Sequence, residues 1–389
     1  MYCKFKTFNV GAGDCITLFL KNGDKEIHIM VDCGAYKEEV NNYVKNEFRS
    51  VIDYLIITHI DNDHISGVIT MLSSNPQLTI RNILYNCYQR TSDNLQGWDE
   101  RMKENVERLY GHLPVVVDML EGKINAETSK SLAENILNNG NWKNAWRRDY
   151  ITSDTPPIEL EGNMGRFIFL SPSKEALDVL DRKYRKMFWE MLYKKKELEY
   201  DKEETIYEAL MRIVAAESSN QEVTPISTTA LGEKNLECYA DEGLKPLSDE
   251  NEASLAFIWE YGGHRILFLG DASPRCVFSK LDELYRNNTK PILFDAIKVS
   301  HHGSAHSTSK EQMKIADSEH YFITGGASTR PSYQALSRII TAPLSEGISR
   351  RKIRYNRVND ILESLAKEDA LKEKFHFKIS SDNEYEFSC

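Results

Sequence analysis

The segment Thr58-His59-Ile60-Asp61-Asn62-Asp63-His64 carries two histidines and two aspartates within six positions. A divalent cation needs several lone-pair donors at about 2.0–2.6 Å, and a loop leaving a strand supplies them while its backbone stays anchored in the sheet. His59 and Asp61 lie two apart and can face one ion; Asp63 and His64 are adjacent in a turn and can face a second. The competing reading is a solvated loop in which Asp63 caps a helix opening near Ser66. Any one of these residues suits that reading, but the set is joined by acids and histidines at other strand ends. The apolar stretch 266–269 runs into Gly270-Asp271, where glycine allows close backbone approach and the aspartate can bridge two ions; its plain alternative is a turn residue ahead of Pro274. The stretch 294–299 runs into Ser300-His301-His302-Gly303-Ser304. One histidine of that pair can be a ligand and the other a supporting or substrate-facing group, and alternation leaves open which.

The elements that must position these groups are legible on either side of them. Short stretches rich in Phe, Ile and Val at 3–10, 15–20 and 26–31, separated by Gly-Asp and Asn-Gly-Asp punctuation, predict a meander of hairpins. A helix follows at 38–48, then a strand at 53–57, then a helix carrying Val68, Ile69, Met71 and Leu72, so the donor-rich loop joins a strand to a helix. Strands recur at 254–259, 265–269, 294–299 and 320–324, with helices between them, which makes the class α/β. Between the two strand-rich parts, 90–250 is irregular and then helical, mainly over 174–217, where Leu177, Leu180, Tyr184, Phe188 and Met191 recur at three- and four-residue steps. The expectation is one fold spanning 1–389 with 90–250 as an insertion or lid.

With 389 residues, 41% of them hydrophobic, the chain can bury a large core, and its net charge of −10 advertises no polyanion partner. The 7 cysteines are single and form no CxxC pair, which argues against a disulfide framework and a thiolate zinc knuckle and fits a reducing cytoplasm. No signal-peptide pattern is expected at 1–20, and the longest apolar runs fall far short of the ~20 residues of a membrane helix. A protein partner is neither indicated nor excluded.

Taken together these motifs resemble the metallo-β-lactamase superfamily, and within it the hydrolase domain of ComEC-type competence proteins and their stand-alone soluble relatives. Phe8-Asn9-Val10-Gly11-Ala12-Gly13-Asp14 resembles that group's strand and glycine-rich turn, and Val31-Asp32-Cys33-Gly34 the superfamily's first acidic motif. His59 to His64 resembles the signature loop, with Asp61 where most of the superfamily has histidine and the competence-type branch has aspartate. The resemblance continues through Asn251, Ser254-Leu255, Gly270-Asp271, the His301-His302 stretch, and Thr324-Gly325-Gly326 with Pro331-Ser332. It covers roughly 2–85 and 250–385. Arg330 departs from the usual histidine before Pro331, and the superfamily's middle histidine ligand has only His112 and His264 as weak matches.

The resemblance implies a four-layer αββα sandwich with all motifs at one edge, and two divalent ions held by His59, Asp61, Asp63, His64, Asp271 and His302. Asp61 makes the site harder than an all-histidine one, which puts manganese, magnesium or iron on a par with zinc, and manganese or zinc is the expectation. Asp63, His301 and His302 are the expected catalytic groups, with Asp32, Asp14, Ser304 and Arg330 supporting them or meeting substrate. The implied activity is a phosphodiesterase or nuclease using a metal-activated hydroxide. The basic run Arg350, Arg351, Lys352 and Arg354 offers a nucleic-acid contact, unless it is a solvated face; Arg182 to Lys196 poses the same choice. A small-molecule phosphoester hydrolase fits the acidic charge better, and a non-enzymatic metal-binding module is the third possibility. Substrate range separates the first two, and bound metal without turnover marks the last.

Overall fold

The protein is described by a computed structural model over residues 1–86, 132–147, 149–194, 232–326 and 329–389. One sheet of seven strands has the order β17 (Glu384–Ser388), β1 (Tyr2–Thr7), β2 (Ile16–Asn22), β3 (Lys25–Val31), β4 (Val51–Ile57), β5 (Thr79–Tyr85) and β6 (Trp146–Arg147). A second sheet of eight has the order β16 (Phe377–Ser380), β15 (Arg351–Tyr355), β14 (His320–Ile323), β12 (Ala296–Lys298), β10 (His264–Phe268), β9 (Ala256–Tyr261), β8 (Arg166–Ser171) and β7 (Ile158–Glu159). β11 (Ile292–Phe294) and β13 (Ala316–Ser318) form a small parallel pair.

Alternation along the strands divides the apolar side chains between layers. In β3, Ile29 and Val31 join Phe5, Leu18, Tyr54 and Ile56 on the inner face, where they pack against Phe167, Phe257, Phe268 and Phe322 of the other sheet. Met30, with Leu55 and Ile57 of β4, faces outward against helices α1 (Glu38–Asn46) and α2 (Asn62–Ser74). On the far side Ile258, Leu267, Ile297 and Ile353 pack against helices that include Pro274–Leu284, Tyr333–Thr341 and Asp360–Lys367. Helices, sheet, sheet, helices: the architecture is a four-layer αββα sandwich. Among the described residues no helix is long and apolar enough to cross a membrane.

Two expectations need correction. The span 90–250 is not wholly an insertion, because β6 extends the first sheet and β7 and β8 extend the second. Leu132, Ile136, Trp142 and Trp146, within the same span, belong to the core beneath the first sheet. Of the helical stretch 174–217, the helix Lys174–Lys194 is seen, with Leu177 and Leu180 buried in that core; the remainder lies outside the described residues. The helix expected near Ser66 also begins earlier, at Asn62, so Asp63 and His64 stand in its first turn.

Candidate metal centre

β4 delivers Thr58 and His59 at its end, and the chain turns at Asp61, whose extended backbone (φ −64°, ψ 143°) stands at the N-cap position of α2. Its carboxylate makes no capping hydrogen bond, Asp63 lies inside the helix and not at its N-cap, and Ser273, not Asp271, stands at the N-cap position of the helix that follows, so N-capping accounts for none of the three aspartates. The turn carrying Asp63 is held by two backbone approaches. A Cβ on Gly13 would lie 1.4 Å from the Asp63 carbonyl oxygen and one on Gly34 2.1 Å from it. The glycine-rich turn and the first acidic motif therefore act here as backbone supports, with Asp14 N–H donating to Asp63 O at 3.2 Å.

The side chains converge on Asp271, which is 2% exposed. Its Oδ1 lies 3.5 Å from His64 Nε2, and its Oδ2 lies 3.5 Å from His301 Nε2 and 3.9 Å from both His59 Nε2 and His302 Nε2. His59 Nε2 also lies 3.5 Å from Asp61 Oδ2, and His302 Nε2 3.3 Å from Asp63 Oδ2. Two ligands about 2.1 Å from one tetrahedral ion are separated by about 3.4 Å, so these spacings suit pairs of donors sharing a cation. His59 Nε2, His64 Nε2, His302 Nε2 and Asp271 Oδ1 are all buried without a hydrogen-bond partner. Buried polar atoms are rarely left unpaired, and four at one point fit a divalent cation that would satisfy them. Among the described residues three groupings have the spacing to hold one: His59, His64 and Asp271; Asp63, His64 and His302; and Asp14, Asp32 and His64, the last engaging the Nδ1 side of His64 that Asp32 already occupies.

The opposite ring nitrogens show how the imidazoles are set. His64 Nδ1 lies 2.8 Å from Asp32 Oδ2, and Asp32 also accepts from Thr58 N (2.8 Å) and Thr58 Oγ1 (2.6 Å). Because Thr58 Oγ1 donates to Asp32, it accepts from His59 Nδ1 at 3.1 Å. His302 Nδ1 donates to Thr324 O at 2.8 Å. Each of these contacts puts the proton on Nδ1 and leaves the Nε2 lone pair for a cation. His301 differs, since its Nδ1 faces Asn251 Nδ2 at 3.4 Å, a donor, which places its proton on Nε2.

The electrostatics separate the same residues. Burial lowers His64 and His302, but carboxylates outweigh it: Asp271, Asp32 and Asp63 push His64 well above the ordinary range, and Asp14 and Asp271 lift His302 to about 9. Burial dominates at His301 and, with Arg330 nearby, takes it down to about 4. Against burial, the histidines hold Asp271 well below the carboxylate range, and His302 and His64 hold Asp63 down. Without a cation, those carboxylates keep His64 and His302 protonated on both ring nitrogens at neutral pH, so a cation bound there would displace their Nε2 protons.

Lys298, at the end of β12, is the group that sequence reasoning missed. It is 1% exposed, pairs with Asp14 and donates to Gly270 O at 2.9 Å. Asp14, expected only as a supporting residue, also accepts from Thr324 Oγ1 and lies 3.2 Å from His302 Nδ1. Ser254, whose Oγ accepts from Asp271 N at 3.1 Å, was legible only as part of the family pattern. Ser304 continues the histidine turn, its N–H donating to His301 O at 2.9 Å. Arg330 is half-buried where Pro331 packs on Gly303, and no carboxylate pairs with it among the described residues.

The basic run is corrected. Arg351 is fully buried and binds Asp317 through Nε (2.9 Å) and Nη2 (2.7 Å), so it cannot reach a nucleic acid. Lys352 pairs with Glu319 at 2.5 Å, and Arg354 donates to His320 Nδ1 at 3.1 Å and to Glu384 O at 2.9 Å, while Arg350 alone of the four is exposed. His264 pairs with Asp295 at 2.9 Å at the far end of the strand that leads to Asp271. His112 lies outside the described residues, as does Lys196, and of the second basic stretch Arg182 is exposed.

No protein-family model and no curated protein sequence matches the chain. Among solved structures it is similar to the metallo-β-lactamase fold protein YhfI from Bacillus subtilis, with a TM-score of 0.37 and 10% identity over 99% of each chain. It is also similar to a diphosphatase of the PhnP family (TM-score 0.38, 9% identity, covering 100% of this chain and 98% of that one). CmlA β-hydroxylase is a third, with a TM-score of 0.38 and 8% identity over 99% of this chain and 54% of that one.

Proposed function

We propose that the protein is a metal-dependent hydrolase that cleaves a phosphoester, most simply a phosphodiester, at a dinuclear centre. The observation that carries this reading is the convergence of four buried, unpartnered atoms, His59 Nε2, His64 Nε2, His302 Nε2 and Asp271 Oδ1. His59 and Asp61 would hold one cation and Asp63, His64 and His302 the other, with Asp271 between them. Divalent cations held there supply Lewis acidity and bring the pKa of a bound water towards neutrality. With three carboxylates beside three imidazoles, the donor set suits manganese or zinc.

The chain's own residues do the rest. Asp32 holds His64 through Nδ1, and Thr58 holds His59, so the two Nε2 atoms point inward before any cation arrives. Asp63 orients the attacking group. His301, kept uncharged by burial, would offer its Nε2–H as a hydrogen-bond donor to a substrate oxygen. Arg330 offers a guanidinium without a carboxylate partner to the non-bridging phosphoryl oxygens. Asp61 in place of the usual histidine supports the phosphodiester branch of the resemblance.

One observation favours a compact substrate over a long polyanion: three of the four cations expected to grip a nucleic acid are already engaged. A nucleotide or cyclic dinucleotide is therefore a second reading at the same centre. The metal-loaded protein and Asp63→Ala are to be incubated with single-stranded DNA, duplex DNA, RNA, cyclic dinucleotides and bis-p-nitrophenyl phosphate. Loss of cleavage in the variant is expected; unchanged cleavage overturns the mechanism, and cleavage restricted to the small esters selects the second reading.

A further inference from the structure

Beneath the candidate centre lies a buried ion pair that no step above uses. Lys298 and Asp14 are each 1% exposed and touch, joining the glycine-rich turn after β1 to the end of β12, 284 residues later in sequence (298 less 14). Such a pair gains little stability over apolar residues of the same volume, so its presence under a cation-binding cluster invites a positional explanation.

Lys298 pairs with Asp14 Oδ2 and donates to Gly270 O at 2.9 Å, and Asp271 Oδ1 lies 3.8 Å away, within ion-pair reach but beyond a hydrogen bond. Gly270 is the hinge that aims Asp271. Its backbone is left-handed (φ +49°), and a Cβ there would meet Leu255 O and Ser254 Oγ at 2.6 Å. The Gly270 carbonyl is pinned by Lys298 on one side and by His301 N–H (2.9 Å) on the other. Among the described residues, Asp271 Oδ1 otherwise has His64 Nε2 near it, at 3.5 Å. Asp14 completes the brace, because its carboxylate also accepts from Thr324 Oγ1 and faces His302 Nδ1.

We propose that Lys298 is a positioning residue for the dinuclear centre: braced by Asp14, it fixes the Gly270 turn and holds the Asp271 carboxylate in the orientation that lets its two oxygens serve two cations. The proposal rests on the dinuclear reading above. It differs from a purely structural role in what it controls, namely the relation between the two cations rather than the stability of the fold.

Because Lys298→Met alone leaves Asp14 as a buried unpaired charge, the test pairs it with Lys298→Arg and with the double variant Asp14→Asn/Lys298→Met, which keeps the local net charge. Manganese is titrated into each metal-stripped protein, reading the second binding constant, the spin-coupled electron paramagnetic resonance signal of a manganese pair, and the melting temperature without metal. The double variant should bind the second manganese at least tenfold more weakly and lose the coupled signal while melting within a few degrees of wild type; Lys298→Arg should recover the signal. A double variant with wild-type second affinity and coupling overturns the role of Lys298 alone. A wild-type chain that binds no manganese overturns the dinuclear reading, and this proposal with it.

Discussion

Replacing Asp32 by asparagine tests whether the imidazoles are preset for cations. Asp32 accepts three buried hydrogen bonds, from Thr58 N (2.8 Å), Thr58 Oγ1 (2.6 Å) and His64 Nδ1 (2.8 Å). Asparagine can keep its oxygen on the Thr58 amide, which can only donate, and must then turn its NH2 towards Thr58 Oγ1 and His64. The hydroxyl can reverse and accept. His64 can accept only by moving its proton to Nε2, which removes the lone pair that would bind the cation. Restoring the ligand tautomer sets two donors face to face in a fully buried position, at a cost of about 1–3 kcal/mol for the lost bond. At 1.36 kcal/mol per decade that is a loss of about tenfold to a hundredfold in affinity for the cation shared by Asp63, His64 and His302, the range found for outer-sphere partners of ligating histidines. Chelator competition with zinc or manganese reads the constant, and circular dichroism without metal confirms that the variant is folded. A folded Asp32→Asn protein with affinity within threefold of wild type would refute the reasoning.

Asp61→His exchanges an oxygen donor 3.5 Å from His59 Nε2 for a softer nitrogen, so zinc should gain on manganese by about tenfold in direct competition. Burial, with Arg354 and Lys352, holds His320 down to about 4, below its unfolded value of about 6.5. The unfolded chain therefore takes up the proton first: stability is full above pH ~6.5 and falls as pH drops towards 4, by about 2 kcal/mol at pH 5. Urea unfolding at pH 5 and 7.5 should show this slope in the wild type and a shallower one in His320→Gln. Arg351→Met leaves the Asp317 carboxylate buried without its guanidinium and should destabilise the fold by about 3–5 kcal/mol in urea, at neutral pH and without metal.

The donor-rich loop, Gly270-Asp271 and the paired histidines were legible because each is a dense local cluster placed where an apolar run stops. The α/β class followed from the same runs, and the two-sheet sandwich from the family resemblance. What escaped was set by tertiary pairing. β6 has two residues and acquires its identity only by lying beside β5, so nothing local marks it as sheet. The cations of β15 read as a nucleic-acid contact or a solvated face, but β15 is flanked by β14 and β16, and Asp317 waits behind Arg351. Lys298 sits in an apolar strand, where a single cation usually turns outward; its meaning depends on Asp14, far away in sequence. The choice between His301 and His302 likewise depended on what faces each Nδ1, Asn251 or the Thr324 carbonyl, which alternation cannot encode.

The central claim is that the buried histidines and aspartates hold two divalent cations with Asp271 between them. Its most direct measurement is the number of manganese or zinc ions retained per chain after loading and desalting, for the wild type and for Asp271→Ala. Two ions per wild-type chain and one or none in the variant are expected. A wild-type chain that retains none, or a folded Asp271→Ala chain that retains both, would contradict the account.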